Sequence, residues 1–260
     1  MKKLFFLLFF SVFSSFALKI DRVIISTDTN PMYMDFWPAV AKAWEKIVGI
    51  KPTLAFIAPK DFPIDESLGD VIRFDPIEGV STALQAQFIR LLLPLYFKDE
   101  VCLISDIDMI PLNKSYFLDT VRDIPDDNFV VYRSDVLLQY NQYPMCYIAA
   151  KGSVFCEVFG VETPEDIEDF IKQEAERLNH AWSTDQQSLY FHVNKWEGCQ
   201  SRCEKLGLGV ERRVDRVNWK YDVALLKKGY YIDSHMLRPY SRYKNEVDKL
   251  LRDLGIFEHE

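Results

Sequence analysis

A chain of 260 residues with 48% hydrophobic side chains is long enough for one large α/β domain and can readily fill a core. Its 19 Phe and 13 Tyr exclude a disordered chain. A formal net charge of −8 argues against a nucleic-acid partner, whose phosphates are gripped by Lys and Arg, but leaves room for a phosphorylated small molecule held by a metal and a few basic groups.

The first residues differ from the rest. Lys2 and Lys3 precede an apolar run over residues 4–13, and Ser15 and Ala17 fit the −3 and −1 positions of a cleavage site. This order predicts a secretory signal peptide over residues 1–17. The apolar run is shorter than the roughly 20 residues of a membrane span. The alternative is an uncleaved signal anchor that associates the chain with a membrane. Either places residues 18–260 in a secretory lumen, in the periplasm or outside the cell. Cleavage would remove two lysines and no acid, taking the net charge from −8 to −10.

No repeat or Pro/Gly/Ser linker interrupts residues 18–260, so one domain is predicted. Residues 22–27 form a β-branched run and a first strand. Asp35 is placed to cap the next helix, with Pro38 in its first turn and Gly49 at its end. Residues 53–58 and 71–74 are further short strands. Leu84, Phe88, Leu91, Leu92 and Leu95 recur at helical spacing, which predicts an amphipathic helix over residues 81–96. Residues 101–105 are continuously apolar, as in a strand buried on both faces. Strands alternating with helices imply a mostly parallel central sheet flanked by helices. Further on, residues 129–133 and 145–150 read as strands. Thr163 opens a helix with Pro164 and acids behind it, and Ser183 or Thr184 caps another. Val210, Arg212 and Val214 alternate as a half-buried strand, and residues 240–254 form a last helix stopped by Gly255.

Of the 5 cysteines, Cys199 and Cys203 are the only pair close in sequence. Their polar surroundings favour a small disulfide over two free thiols. The C-x3-C spacing, with no second pair and no nearby His, argues against zinc.

Chemistry concentrates where the apolar strand 101–105 runs into Asp106-Ile107-Asp108. Ligands of open α/β sheets bind beyond the carboxyl ends of the strands. Two carboxylates about 4 Å apart repel by roughly 4 kcal/mol at an effective dielectric of 20, a penalty that a divalent cation reverses. Mn2+ or Mg2+ takes such hard oxygen ligands and can bridge to a diphosphate. No G-x-G-x-x-G or P-loop is present, which counts against Rossmann dehydrogenases and P-loop kinases. A D-x-D turn can also be a solvated strand end, but its position after a buried strand favours metal binding.

This D-x-D segment resembles that of the GT-A glycosyltransferases. The upstream helix around Arg90 and the downstream Trp182-Ser183-Thr184-Asp185-Gln186 are similar to segments of such enzymes. The resemblance spans most of residues 22–240. It implies an α/β GT-A fold and a metal-dependent transfer of sugar from a UDP- or GDP-sugar to a hydroxyl of a glycan, lipid or protein. It implies metal ligation by Asp106 and Asp108, with His235 near the end of the chain as a further ligand. It places Thr27, Asp28 and Asn30 by the nucleotide, Asp106 by the diphosphate, Arg90 on the diphosphate or on a D-x-D acid, and Asp185 on the acceptor side as a catalytic base if the reaction inverts or as a cap of the helix near Thr184. A non-catalytic sugar or nucleotide-sugar binding protein on the same fold is the alternative. A haloacid-dehalogenase phosphatase would carry its aspartates after the first strand, and a nucleotidyltransferase would open on a Gly- and Arg-rich loop.

Overall fold

The computed structural model describes residues 17–258, so the segment read as a signal peptide lies, but for Ala17, outside the described residues. Seven strands form the central sheet in the order β3-β2-β1-β4-β7-β6-β8. They are β1 (Arg22–Asp28), β2 (Pro52–Ile57), β3 (Asp70–Phe74), β4 (Val101–Ile104), β6 (Phe129–Val131), β7 (Ile148–Lys151) and β8 (Cys203–Lys205). β1 pairs in parallel with β2 and β4, β2 with β3, and β6 with β8; β7 runs antiparallel to both β4 and β6. A second, three-stranded sheet holds β10 (Asp233–His235) between β5 (Met109–Pro111) and β9 (Arg213–Asp215).

Strand side chains alternate between faces, and both faces are covered. Val23, Ile25, Leu54, Phe56, Val101 and Leu103 join one core with α2 (Trp37–Ala43), the second sheet and α9 (Lys244–Asp253). Ile24, Ala55, Ile57, Cys102 and Ile104 join the other, under α3 (Thr82–Leu92), α5 (Gly152–Phe159), α6 (Asp166–Arg177) and α7 (Thr184–Lys195). Short helices α1 (Pro31–Met34), α4 (Lys114–Leu118) and α8 (Val223–Lys227) fill connections. Helix α3 explains the layering best. Ser81 caps it through the N–H of Leu84, and Phe88, Leu91 and Leu92 are fully or almost fully buried, each contributing about 1.5–3 kcal/mol. Pro94 then ends the α-helix, and residues Leu93–Phe97 tighten into a 3-10 turn. Gly152 lets α5 rest on that turn: a Cβ there would come within 2.3 Å of the Pro94 carbonyl oxygen.

Several boundaries differ from the sequence reading. Asp35 does not cap α2: it closes the C-terminal end of α1, and α2 starts after Phe36 with no side-chain cap. Asn30 caps α1 instead, accepting from the N–H of Met32, because the chain turns before Pro31 rather than after Asp35. The strand expected around Val210 shrinks to β9, with Val210 exposed and only Val214 fully buried. All five cysteines are free thiols. The expected Cys199–Cys203 disulfide is therefore absent, and burial pushes the Cys203 thiol up to about 12.

Candidate active site

Parallel strands that end together leave a crevice between the loops that follow them. Here β1 ends in Ser26-Thr27-Asp28, and β4 passes through Ser105 into Asp106-Ile107-Asp108 before β5 begins. A cavity of about 330 Å3 opens at this edge, lined on one side by Thr27, Asp28, Arg90, Asp106 and Asp185 and on the other by Asp108, His235 and four further arginines. The N–H of Met236 donates to the Asp108 carbonyl at 2.9 Å, continuing the β5–β10 ladder up to the acid. This pairing delivers His235 to a residue 127 positions earlier in the chain.

Arg90 organises the first side. Its side chain is 8% exposed, and it reaches from α3 to Asp185 through Nη2 (2.8 Å) and to Asp106 through Nη1. Burial works against its charged form, but the charges of Asp106 and Asp185 outweigh this and raise its pKa. The other oxygen of Asp185 accepts from the N–H of Gln186 at 2.8 Å. One guanidinium shared by two carboxylates leaves this side net negative. Asp28 adds to it, accepting from Thr82 Oγ1 at 2.8 Å and from the N–H of Asn30 at 3.0 Å.

The other side converges on one atom. Arg216 Nη1 lies 2.8 Å, Arg238 Nη1 3.4 Å and His235 Nε2 3.6 Å from Asp108 Oδ2. Burial would raise the Asp108 carboxyl, but His235 beside it and the charges of Arg216 and Arg238 hold it at about 2. His235 Nδ1 stands 3.5 Å from Asp215. Arg238 also donates to the hydroxyl of Tyr33 and lies 5.0 Å over its ring, while Trp182, 66% exposed, stacks on that ring at 6.5 Å.

Deeper in the wall, Arg133 and Arg213 share Asp233. Arg133 Nη2 donates to Asp233 Oδ2 at 2.7 Å, Arg213 Nε to Oδ1 at 2.9 Å and Nη2 to Oδ2 at 3.2 Å, and the Tyr147 hydroxyl to Oδ2 at 2.8 Å. The Asp233 charge keeps Arg133 ionised and raises its pKa despite burial.

Of the residues singled out from sequence, the cavity brings together Thr27, Asp28, Arg90, Asp106, Asp108, Asp185 and His235. Asn30 is not among its lining residues. Sequence reading gave no role to Arg133, Arg213, Arg216, Arg238 or Tyr33. The run Glu211-Arg212-Arg213-Val214-Asp215-Arg216 was the available signal, since three arginines around a strand beside acids is a poor solvated turn.

Carboxylates and imidazole together are a donor set that Mn2+ or Mg2+ accepts. Among the described residues no three His, Cys, Asp or Glu side chains converge as a ready metal cage. The ligand pair that does face each other is Asp108 and His235, and Arg216 sits on the oxygen a cation would take. The set therefore fits a divalent ion by chemistry, with a guanidinium as its competitor.

Comparison with protein-family profiles and with curated protein sequences finds no match. Solved structures do resemble this chain. LgtC, a galactosyltransferase, superposes with a TM-score of 0.48 in a complex with donor and acceptor sugar analogues, and of 0.51 as an active-site variant. The second comparison has 11% identity and covers 92% of this chain and 97% of LgtC. The glycosyltransferase GlyE of Streptococcus pneumoniae TIGR4 gives 0.50 at 14% identity, covering 91% of this chain and 62% of its own. Likeness of backbone at such identities defines the fold, and that fold is GT-A: a mostly parallel sheet flanked by helices, with the cavity at the carboxyl ends of its strands.

Proposed function

We propose that the cavity binds a nucleotide-diphosphate sugar and transfers its sugar to a hydroxyl of a glycan, lipid or protein acceptor. One observation carries this reading: at the strand ends of a GT-A fold, the acids of the D-x-D turn meet a set of arginines suited to an anion with several oxygens. In transfer, the bond from the anomeric carbon to the diphosphate oxygen breaks and one to the acceptor oxygen forms. Negative charge grows on the departing diphosphate, and the acceptor hydroxyl loses its proton.

The chain's own groups divide this work. Thr27 and Asp28, at the end of β1, face the nucleoside. Arg216 and Arg238 exchange their hold on Asp108 for the diphosphate oxygens and stabilise the charge that accumulates there. Arg90 fixes Asp106 and Asp185 in place; Asp185, the acceptor-side carboxylate, takes up the hydroxyl proton if the reaction inverts. A divalent ion, Mn2+ or Mg2+, would be held by Asp106, Asp108 and His235, and when bound it supplies further neutralisation of the diphosphate. The apolar leader and its small-residue cleavage site support action in an exported compartment.

The second reading, a sugar or nucleotide-sugar binder without transfer, is favoured by one feature: Asp106, Asp108 and Asp185 all already meet a guanidinium. Release of sugar from UDP- and GDP-sugars, with and without Mn2+, separates the two. Turnover in the wild type that falls at least 100-fold in Asp108→Asn supports transfer, on the scale of a lost transition-state contact. Tight donor binding with no release in any combination supports the binder.

A further inference from the structure

A charge is left over at the wall of the cavity. Arg133 and Arg213 both line it, but Asp233, their shared counter-ion, stands behind them outside the lining and is fully buried. Two guanidiniums on one carboxylate leave one positive charge unmatched. The group within reach of both guanidiniums besides Asp233 is Cys146 Sγ, 3.3 Å from Arg213 Nη2 and 3.7 Å from Arg133 Nη1. A protonated thiol is only a weak acceptor, and burial in this wall favours the protonated form.

The donors can be counted. Arg133, with no exposed side-chain surface, spends Nε on the Tyr116 hydroxyl, Nη2 on Asp233 and Nη1 on the thiol. Arg213, with a side chain 10% exposed, turns Nε and Nη2 toward Asp233 and has no hydrogen-bond partner for Nη1 among the described residues. That nitrogen is not among the buried polar atoms left unsatisfied, so it keeps accessible surface on a residue that lines the cavity. Val136, Leu137, Pro144 and Met145 line the same cavity. Apolar walls weaken solvent screening and make the unmatched charge count for more.

We infer that the sugar handled here carries a carboxylate, seated on the open edge of Arg213 with Arg133 behind it. The inference rests on the glycosyl-transfer reading for its context and deepens it by naming the substrate class, an acidic sugar of the uronic type. A planar carboxylate would take the free Nη1 of Arg213 together with the Nη2–H now turned to the weakly accepting Cys146 thiol, and such a two-donor fork binds it with more selectivity than a point charge would. Arg216 and Arg238, beside Asp108, remain for the diphosphate, so the two anions of an acidic sugar nucleotide would occupy separate arginine pairs.

The test uses the full chain and begins with free sugars, so that it does not depend on transfer. Saturation-transfer NMR compares glucuronate with glucose on wild type, Arg213→Gln and Arg213→Lys, with thermal melts to show that the variants fold. The expected result is at least 10-fold tighter binding of glucuronate by wild type, lost in Arg213→Gln and partly kept in Arg213→Lys. Two further arms locate the acid: UDP-glucuronate against UDP-glucose as donor, and uronate-ended against neutral disaccharides as acceptor, with a preference of at least 10-fold in kcat/KM in one arm. Equal behaviour of acidic and neutral sugars in all arms overturns the inference. So does Arg213→Gln weakening UDP as much as UDP-glucuronate, because Arg213 would then serve the diphosphate. Glucuronate binding without release of sugar from any donor would instead leave the acidic seat standing and remove the transferase reading.

Discussion

At the scale of single residues, the site is a set of acids held by guanidiniums, and two substitutions separate their roles. Arg90 is the sole cation joined to both Asp106 and Asp185 among the described residues. Arg90→Met should cost about 3–5 kcal/mol in urea unfolding, the scale of leaving a buried charge without its partner. Adding Asp185→Asn should recover part of that loss, because the two residues share one interaction and their effects do not add. Arg216, by contrast, competes for Asp108. Arg216→Gln should bind Mn2+ about 10-fold more tightly in the absence of nucleotide, since it removes a like charge within a few ångströms of the ligand oxygen. Electron paramagnetic resonance of free Mn2+ reads this directly, and unchanged affinity would mean that no cation binds at Asp108. The acids were legible in the sequence because a D-x-D turn after an apolar strand is a local pattern. Most of the arginines were not: Arg133 lies in an expected strand and Arg213 in an alternating one, and nothing local says that both reach Asp233.

At the scale of elements, the strands of the first half were read to within a residue or so at each end, because short β-branched runs bounded by polar residues carry their own limits. Helix ends were less legible. The last helix begins at Lys244 rather than residue 240, as the chain first turns through Pro239. Helices α6 and α7 illustrate what sequence hides, since their contact runs through a carboxylate. Glu174, 7% exposed, pairs with Arg177 at Oε2, and His192 Nε2 lies 3.4 Å from Oε1 without hydrogen-bond alignment. Burial would raise this carboxyl, but Arg177, His192 and Ser188 hold it at about 2, against an ordinary 4.5. A depressed carboxyl stabilises the fold above its unfolded pKa and ceases to do so as pH falls through the folded one. The contribution should therefore be complete above about pH 4.5 and lost between there and about pH 2. Melting curves of Glu174→Gln should lie below wild type at pH 7 by a few kcal/mol of stability and approach it toward pH 2. Parallel curves across that range would remove Glu174 from the acid limb.

At the scale of the whole molecule, the alternation of elements conveyed the mostly parallel sheet, while the second sheet was out of reach. Its strands are three residues each and come from three distant stretches, so no window of sequence contains the pattern. The stretch that supplies β10 also supplies Met236, Val247, Leu250 and Leu251, all without exposed surface in the core beneath the central sheet. A chain stopped after Lys228 should lose its cooperative thermal transition and bind a dye for exposed apolar surface; a sharp melt at the wild-type temperature would show that the two layers fold independently. The same connectivity orders events in time. A ribosome releases the D-x-D turn more than a hundred residues before His235 and Arg238. During that interval Asp108 lacks His235, Arg216 and Arg238, and the side of the cavity that they line is missing. The wall around Asp108 is therefore complete only once β10 has paired with β5.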